Sequence, residues 1–348
     1  MLHTSIERRV LRFRTPATTS RGTYATRTIR LVHVTDDARP GIEGVGECSP
    51  LPDLSADALT DNEYDLLLLT VCQDLRESGT MDSEALRPYP SILFGLETAL
   101  WQLERGGDTA LSDTPFARGE NGIRINGLVW MGSFDEMTRR MEEKVKAGFS
   151  CVKLKIGGID FEHELAMVRA LRERFSPKDI ELRLDANGAF APKDALGRLE
   201  RLAEYGIHSI EQPIRQGQWD EMARLCEASP IDIALDEELI GVTNTEDKCR
   251  LLDTIRPQYL VIKPTLHGGI SGTREWVELA RQRSIGSWLT SALESNVGLN
   301  AIAHLAAETY GTDPAMPQGL GTGQLFETNT ERPITIRGER LYYAPSKL

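Results

Sequence analysis

The chain has 348 residues, 40% of them hydrophobic, which is enough for a barrel of roughly 200–250 residues plus a smaller domain and excludes wholesale disorder. Its formal net charge of −12 at pH 7 argues against nucleic acid and against an anionic membrane surface as partners. The longest apolar runs, such as LLLLTVC at residues 66–72, are far too short to span a membrane.

The N-terminal sequence and the cysteines both lead us to expect a cytoplasmic protein. MLHTSIERRVLRF is charged and lacks the apolar core of a signal peptide. The five cysteines are scattered, odd in number and without CxxC spacing, which is typical of reduced cytosolic thiols. No oligomeric state is predicted.

Residues 1–118 carry strand signals followed by helix signals. Stretches rich in Val, Ile, Thr and Arg with partial alternation predict strands at 6–15, 24–34 and 41–47. Two helices are predicted, one near 55–78 with Ser55 as its N-cap and one near 91–105. This order predicts an α+β domain over residues 1–118.

From Ile123 the pattern changes to alternating strands and helices. INGLVWMGS is a predicted strand, DEMTRRMEEKVKAG a predicted amphipathic helix, and seven more strand signals follow at a steady interval. Alternation over about 200 residues without a long linker favours a closed βα barrel, residues 119–326, over two Rossmann halves. The tail, residues 327–348, contains the predicted hairpin ITIRGERLYYAP, which we expect to return to the N-terminal domain.

Five successive strand signals between Cys151 and Pro264 stop at a charged residue. The spacings between these residues are 30, 26, 25 and 27 positions, the length of one strand–loop–helix–loop unit, and the residues are Lys155, Asp185, Glu211, Asp236 and Lys263. In a parallel βα barrel the carboxyl end of each strand faces the active-site mouth. The five side chains are therefore predicted to converge on one cavity.

Alternation within the strands predicts which side chains enter the barrel lumen. In VKLKI the residues Lys153 and Lys155 share one face, and in LRLD the residues Arg183 and Asp185 do the same. Lys153 lies one layer deeper than Lys155, so its role is open: it could contact a substrate carboxylate or form an ion pair inside the barrel. The same two roles are open for Arg183, and the structural role is favoured.

The order of the charges indicates a metal site with two acid/base groups. If INGLVW is the first strand, Lys155 ends strand 2 and Lys263 ends strand 6, which lie opposite each other in an eight-stranded ring. Three acidic ligands without nearby Cys or His suit a hard divalent cation, Mg²⁺ above all, with Mn²⁺ as a substitute. Such a cation would bind a small-molecule carboxylate, stabilise the enediolate formed when its α-proton leaves, and lower the pKa of a lysine base.

Five motifs in this order resemble the enolase superfamily, specifically its muconate-lactonizing subgroup. They are KLK (153–155), DAN (185–187), EQP (211–213), LDE (235–237) and IKP (262–264). The resemblance implies an α+β capping domain, completed by the C-terminal tail, on a (β/α)7β barrel. It also implies Mg²⁺ on Asp185, Glu211 and Asp236, with Lys155 as the base and Lys263 facing it as counter-acid or cation.

Four loops are similar to those of the subgroup's dehydratases that serve menaquinone biosynthesis. They are TSRG (Thr19–Gly22), GECSPLPDLS (46–55), SALES (Ser291–Ser295) and GLGTG (Gly319–Gly323). The resemblance implies a carbon–oxygen lyase that eliminates water in syn fashion, with one lysine as base and then acid. The expected substrate contacts are Lys153, Asn187, Ser20, Arg21, Ser291, Glu294, Gly321 and Thr322, and Asn187 is expected to orient a ligand or Lys155.

Other readings stay open. Opposed lysines also suit a dipeptide epimerase or an N-succinylamino acid racemase, but the region 318–323 lacks the acids that epimerases of the subgroup use to bind a substrate ammonium. A class I aldolase with a Schiff base on Lys263 and a non-catalytic barrel are the remaining alternatives. Glu237 is expected to support the site rather than bind metal, and His267 to lie on an exposed loop.

Overall fold

The N-terminal strands form an antiparallel sheet of three. They are β1 (Leu2–Thr19), β2 (Gly22–Asp36) and β3 (Glu43–Cys48), with β2 between the other two. The computed structural model describes residues 1–19, 22–57, 59–130 and 132–344. All three strands lie where Val, Ile and Thr alternate with polar residues, as the sequence predicts, although β1 and β2 are longer than expected.

Two helices, α1 (Asp61–Ser78) and α2 (Pro90–Glu104), complete the α+β part. α1 begins later than predicted, because Thr60 and Glu63 form a capping box while the Ser55 hydroxyl accepts the N–H of Leu51 in the preceding turn. Ser55 is therefore not the N-cap. α2 packs closely on β3 at Gly46, where an added Cβ would meet the carbonyl oxygen of Gly95 at 1.7 Å.

Seven parallel strands form one curved sheet in strict chain order. They are β5 (Gly127–Val129), β6 (Cys151–Lys155), β7 (Glu181–Asp185), β8 (Ser209–Glu211), β9 (Asp232–Leu235), β10 (Tyr259–Ile262) and β11 (Gly286–Leu289). The connecting helices are α3 (Phe134–Lys146), α4 (Phe161–Arg174), α5 (Pro192–Ala203), α6 (Trp219–Ala228), α7 (Thr245–Ile255), α8 (Gly269–Gln282) and α9 (Asn296–Tyr310). A short 3-10 helix, Glu237–Leu239, follows β9.

Gln318 and Gly319 close the ring as its eighth member. Gln318 forms a parallel bridge with Ile125, next to β5, and Gly319 forms one with Thr290, next to β11. The Gln318 side chain strengthens the closure because its Oε1 accepts the N–H of Leu289 at 2.7 Å. The predicted (β/α)7β barrel with an N-terminal α+β capping domain is thereby confirmed.

The C-terminal tail forms the predicted hairpin, β12 (Ile334–Arg337) and β13 (Arg340–Tyr343). β13 pairs with β4 (Ile123–Arg124), just before the first barrel strand, and the Tyr343 hydroxyl lies 2.8 Å from that of Thr109. The tail thus joins the start of the barrel and also contacts the N-terminal part. The domain boundaries at 118/119 and 326/327 stay predictions. No helix in the described ranges is long and apolar enough to cross a membrane.

The closure at Gln318 provides a test of the barrel. Gln318→Ala leaves the buried N–H of Leu289 without its acceptor, so we expect a loss of about 1–3 kcal/mol in the free energy of unfolding. The exposed neighbour Gln324 serves as the control, since Gln324→Ala should change stability by less than about 0.5 kcal/mol. Denaturant titration measures both, and equal midpoints for the two variants would contradict this role of Gln318.

Candidate active site

The strand register places the predicted site residues next to each other. Lys155 pairs in register with Asp185, and Asp185 with Glu211, so these three residues occupy the same edge of neighbouring strands. Asp236 and Lys263 directly follow β9 and β10. The barrel therefore brings all five charged residues to its carboxyl-terminal mouth, as the spacing predicts.

One cavity of about 90 Å³ opens at this mouth. Lys155 and Lys263 line it from strand positions 2 and 6 of the ring. The rest of its charged and polar lining includes Lys153, Asn187, Glu237, Thr290, Ser291 and Thr322. Its apolar lining consists of Leu51, Leu54, Leu128, Trp130, Ala292 and Leu293. The site thus combines a charged floor with an apolar upper wall.

Each carboxylate of the predicted metal site contacts a lysine. Lys155 Nζ donates to Asp185 Oδ2 at 2.8 Å, and Lys153 Nζ donates to both oxygens of Glu211 at 2.8 and 2.7 Å. Lys263 Nζ donates to Asp236 Oδ2. The three carboxylates are at most 2% exposed, so the lysines compensate charges that water does not reach.

The neighbouring charges separate the protonation behaviour of these acids, because burial raises the pKa of all three. Burial and the neighbouring charge of Asp185 raise the pKa of Glu211 to about 8. Burial also raises the pKa of Asp236, although Lys263 opposes it. For Asp185 burial acts in the same direction, but the charges of Lys153 and Lys155 outweigh it and hold its pKa below the usual range.

Two of the lysines are held protonated by the acids. Burial alone would lower the pKa of Lys263, but the charges of Asp236, Glu237 and Glu211 together outweigh burial and raise it. The same balance, with Asp185 and Glu211 as the acids, raises the pKa of Lys153. A positive charge placed among the carboxylates would weaken this hold on the lysines.

The carboxylates suit a divalent cation by their chemistry. Within the described ranges, no three His, Cys, Asp or Glu side chains are arranged around a common metal position, and lysine ammonium groups contact the carboxylate oxygens. Three buried carboxylates are nevertheless the donors that hard cations prefer. Asp236 Oδ1 is buried with no hydrogen-bond partner, so the lysines do not fully satisfy the carboxylate set.

Asn187 connects Lys155 to Glu237, the first residue of the 3-10 helix that follows β9. Its backbone is left-handed, with φ of 44°, a conformation that Asn tolerates better than most residues. Its side-chain Oδ1 accepts from Lys155 Nζ at 2.8 Å, and its Nδ2 donates to Glu237 Oε1 at 3.0 Å. This is the contact expected of a residue that orients Lys155.

The other predicted substrate contacts separate into three groups. Ser291, Gly321 and Thr322 line the cavity, and the Thr322 hydroxyl donates to Ser291 Oγ at 2.8 Å. Glu294 does not line the cavity; it is fully buried, and its Oε2 accepts from Ser291 Oγ and the Ala292 N–H. It therefore shapes the loop instead of facing the substrate space. Ser20 and Arg21 lie outside the described residues.

His267 corrects another expectation, since it is only 2% exposed and not on an exposed loop. Its Nδ1 accepts the backbone N–H of Lys263 at 3.0 Å, which folds the side chain inward under the turn after β10.

Trp130 is a cavity residue that the sequence reasoning missed. It follows β5, and its ring centroid lies 6.0 Å from Lys155 Nζ. The rule applied to the five charged strand ends would have found it, had it been extended to aromatic residues. Leu51 and Leu54 had no comparable signal, because a different part of the fold brings them to the cavity.

The fold and the mouth define a class: a (β/α)7β barrel enzyme with an α+β cap and a carboxylate–lysine site. Residues 136–341 match the family model described as enolase C-terminal domain-like. The chain belongs to the enolase superfamily, whose members use divalent metal ions.

Known relatives agree with this placement. The o-succinylbenzoate synthase of Desulfotalea psychrophila is 44% identical, covering 96% of this chain and 97% of that protein. The crystal structure of MenC from Desulfotalea psychrophila LSv54 matches with a TM-score of 0.83 at 40% identity, covering 98% of this chain and 99% of that one. The Enterococcus faecalis V583 dipeptide epimerase complexed with Mg and L-Leu-L-Tyr has a TM-score of 0.82, with 99% and 97% coverage, but only 21% identity, and so shares the fold.

The raised pKa of Glu211 predicts a pH effect on the metal-free protein. Between the ordinary value of 4.5 and the folded value of about 8, the folded state keeps a proton that the unfolded state has lost. The contribution of Glu211 to stability therefore falls as pH rises through this window, and Glu211→Gln removes the fall. As the pH rises from about 5 to about 8 in metal-free buffer, the free energy of unfolding of the variant should increase relative to that of the wild type by about 1–3 kcal/mol.

Denaturant titrations of both proteins across this range measure the difference directly. The control is Glu227→Gln, an exposed glutamate at the end of α6, whose curve should run parallel to that of the wild type. A Glu211→Gln curve that also ran parallel would show that the pKa of Glu211 is not raised.

Proposed function

We propose that the protein dehydrates 2-succinyl-6-hydroxy-2,4-cyclohexadiene-1-carboxylate to o-succinylbenzoate, a step of menaquinone biosynthesis. The observation that carries the proposal is that Lys155 and Lys263 line one cavity above three buried carboxylates. The 44% identity to an o-succinylbenzoate synthase over nearly the whole of both chains supports the choice of reaction.

Asp185, Glu211 and Asp236 are the proposed metal ligands, and Mg²⁺ is the proposed ion, with Mn²⁺ as a substitute. When bound, the cation supplies the positive charge that stabilises the substrate carboxylate after its α-proton has left. Its charge would also replace the ammonium groups that contact Asp185 and Asp236, leaving both lysines to face the substrate.

Lys155 is the proposed base. Its Nζ would take the proton from the carbon next to the substrate carboxylate, and the electron pair of that C–H bond would enter the carboxylate-conjugated system. Asn187 Oδ1 accepts from Lys155 Nζ at 2.8 Å, a contact that would keep the amine at the cavity wall if Asp185 held a cation.

The elimination is then completed by the same amine. Lys155, now an ammonium, gives its new proton to the hydroxyl on the neighbouring carbon, the C–O bond breaks, and water leaves from the face where the proton was removed. The returning electron pair forms the double bond that makes the ring aromatic. One lysine on one face suffices, so the geometry supports syn elimination.

Lys263 is proposed to act as a cation on the opposite wall. It lines the cavity from the strand position opposite Lys155, where its ammonium would face the negative charge that builds on the substrate. The apolar wall formed by Leu51, Leu54 and Leu293 suits the ring. The succinyl carboxylate is proposed to bind to Ser291, Thr322 and the backbone at Gly321. Lys153 is proposed to stabilise the charged end of the cavity through its ion pairs with Glu211 and Asp185.

A two-base 1,1-proton transfer on an N-succinylamino acid is the second candidate. The observation favouring it is that both lysines line the same cavity from opposed strand positions. A cationic dipeptide is disfavoured, because the cavity lining at the eighth strand position consists of Gly319, Gly321 and Thr322 without an acid. Deuterium incorporation from D₂O into N-succinylamino acids, run beside the dehydration assay, separates the two reactions.

Removing either lysine tests the mechanism. Lys155→Ala should lower kcat for dehydration by about 10²–10⁴-fold, the usual contribution of a positioned base. Lys263→Ala should lower kcat strongly as well, and the exposed control Lys178→Ala should leave kcat unchanged. Wild-type kcat in Lys155→Ala would rule out this lysine as the base.

Metal removal distinguishes the proposed lyase from an aldolase. We expect EDTA to abolish dehydration and Mg²⁺ to restore it, because without the cation Lys155 and Lys263 stay hydrogen-bonded to Asp185 and Asp236. Asp236→Asn should raise the Mg²⁺ concentration needed for half-maximal activity by at least about tenfold. Activity that survives EDTA, together with a borohydride-trapped adduct on Lys263, would instead establish Schiff-base chemistry.

A further inference from the structure

His267 is buried under the turn that connects β10 to α8. The backbone N–H groups of Leu266 and His267 both donate to the carbonyl oxygen of Lys263, at 2.8 and 2.9 Å. The imidazole folds back across this turn and accepts the N–H of Lys263 on Nδ1 at 3.0 Å. These hydrogen bonds therefore fix the backbone of Lys263, whose ammonium is the proposed cationic group on one wall of the cavity.

This hydrogen bond determines the tautomer of His267. A neutral imidazole that accepts on Nδ1 carries its proton on Nε2. Because Nδ1 accepts the N–H of Lys263, this nitrogen is unprotonated and the ring is neutral. Nε2–H is consequently a donor and cannot act as an acceptor.

This donor faces the Oδ1 atom of Asp236, a proposed metal ligand, and that oxygen lacks a hydrogen-bond partner. His267 Nε2 lies 3.8 Å from Asp236 Oδ1, and both atoms are buried without a hydrogen-bond partner. A buried polar atom without a hydrogen-bond partner is destabilising. The separation exceeds a normal hydrogen bond by less than about 1 Å, so a small rotation of the carboxylate suffices to make the bond.

We propose that His267 is a positioning residue that donates Nε2–H to Asp236 Oδ1 and so orients this carboxylate for a divalent cation. The inference rests on the proposed function, because it takes Asp236 to be a metal ligand. Ligating carboxylates are commonly hydrogen-bonded through their second oxygen, which fixes their orientation. In this chain Oδ2 contacts Lys263 Nζ, so His267 is placed to hold the other oxygen when a cation displaces that lysine.

His267 thereby links two groups with different proposed roles. Its Nδ1 accepts the backbone N–H of Lys263, and its Nε2 lies 3.8 Å from the side chain of Asp236.

Two isosteric substitutions separate these contacts. In His267→Asn the side-chain Oδ1 replaces Nδ1 as acceptor for Lys263, but the donor to Asp236 is lost. In His267→Gln the amide nitrogen reaches the position of Nε2 and keeps that donor. The matched control is His208→Asn, which removes a half-buried histidine at the start of β8, at the opposite end of the barrel.

The readout is the affinity of each purified protein for Mg²⁺ alone, measured by calorimetry, with thermal unfolding in metal-free buffer as the measure of folding. We expect His267→Asn to weaken Mg²⁺ binding by about 10–100-fold, while His267→Gln stays within a few-fold of the wild type. His208→Asn should bind as the wild type does, and the metal-free His267→Asn protein should unfold close to the wild-type temperature.

Equal Mg²⁺ affinity in the wild type and His267→Asn would overturn the positioning role and leave the proposed function intact. Wild-type protein that binds no Mg²⁺ would overturn both. Suppose that the Mg²⁺ affinity of the wild type depends on His267 as expected, but that the wild type fails to dehydrate the cyclohexadiene substrate. That result would overturn the proposed function alone.

Discussion

The structure depends on the mutual compensation of charge at the mouth of the barrel. Asp185, Glu211 and Asp236 are taken almost completely out of water, a placement that is stable only when opposite charge is close. Three lysines supply that charge in the structure described. The arrangement is suited to exchange, because a divalent cation would offer the same carboxylates a stronger partner and would release the lysines from them.

The barrel makes this crowding of charge possible. Parallel strands in register put Lys155, Asp185 and Glu211 side by side, and closure through Gln318 and Gly319 brings the sixth strand opposite the second. The pKa of Glu211 is raised as a result, first by burial and then by repulsion from Asp185.

The upper part of the site is built by contacts between distant segments. Arg27 of β2 is buried and donates to the carbonyl oxygens of Ser49 and Ala292, so the cap and the loop after β11 are held together. Glu47 accepts from the backbone of Ser295 and Gly298 at the start of α9. These buried bonds bring Leu51 and Leu54 over the cavity and explain how the capping domain contributes to substrate space.

The sequence by itself determined the barrel, the five charged strand ends and their order around the ring, because strand periodicity and helix length are local properties. It also indicated Ser291, Gly321 and Thr322 through their loops. Only the tertiary structure decided that Glu294 turns away from the cavity, that His267 is buried beside Asp236, and that Trp130 lies near Lys155. Each of these depends on how a side chain packs against a segment far away in the chain, and such packing leaves no periodic signal in the sequence.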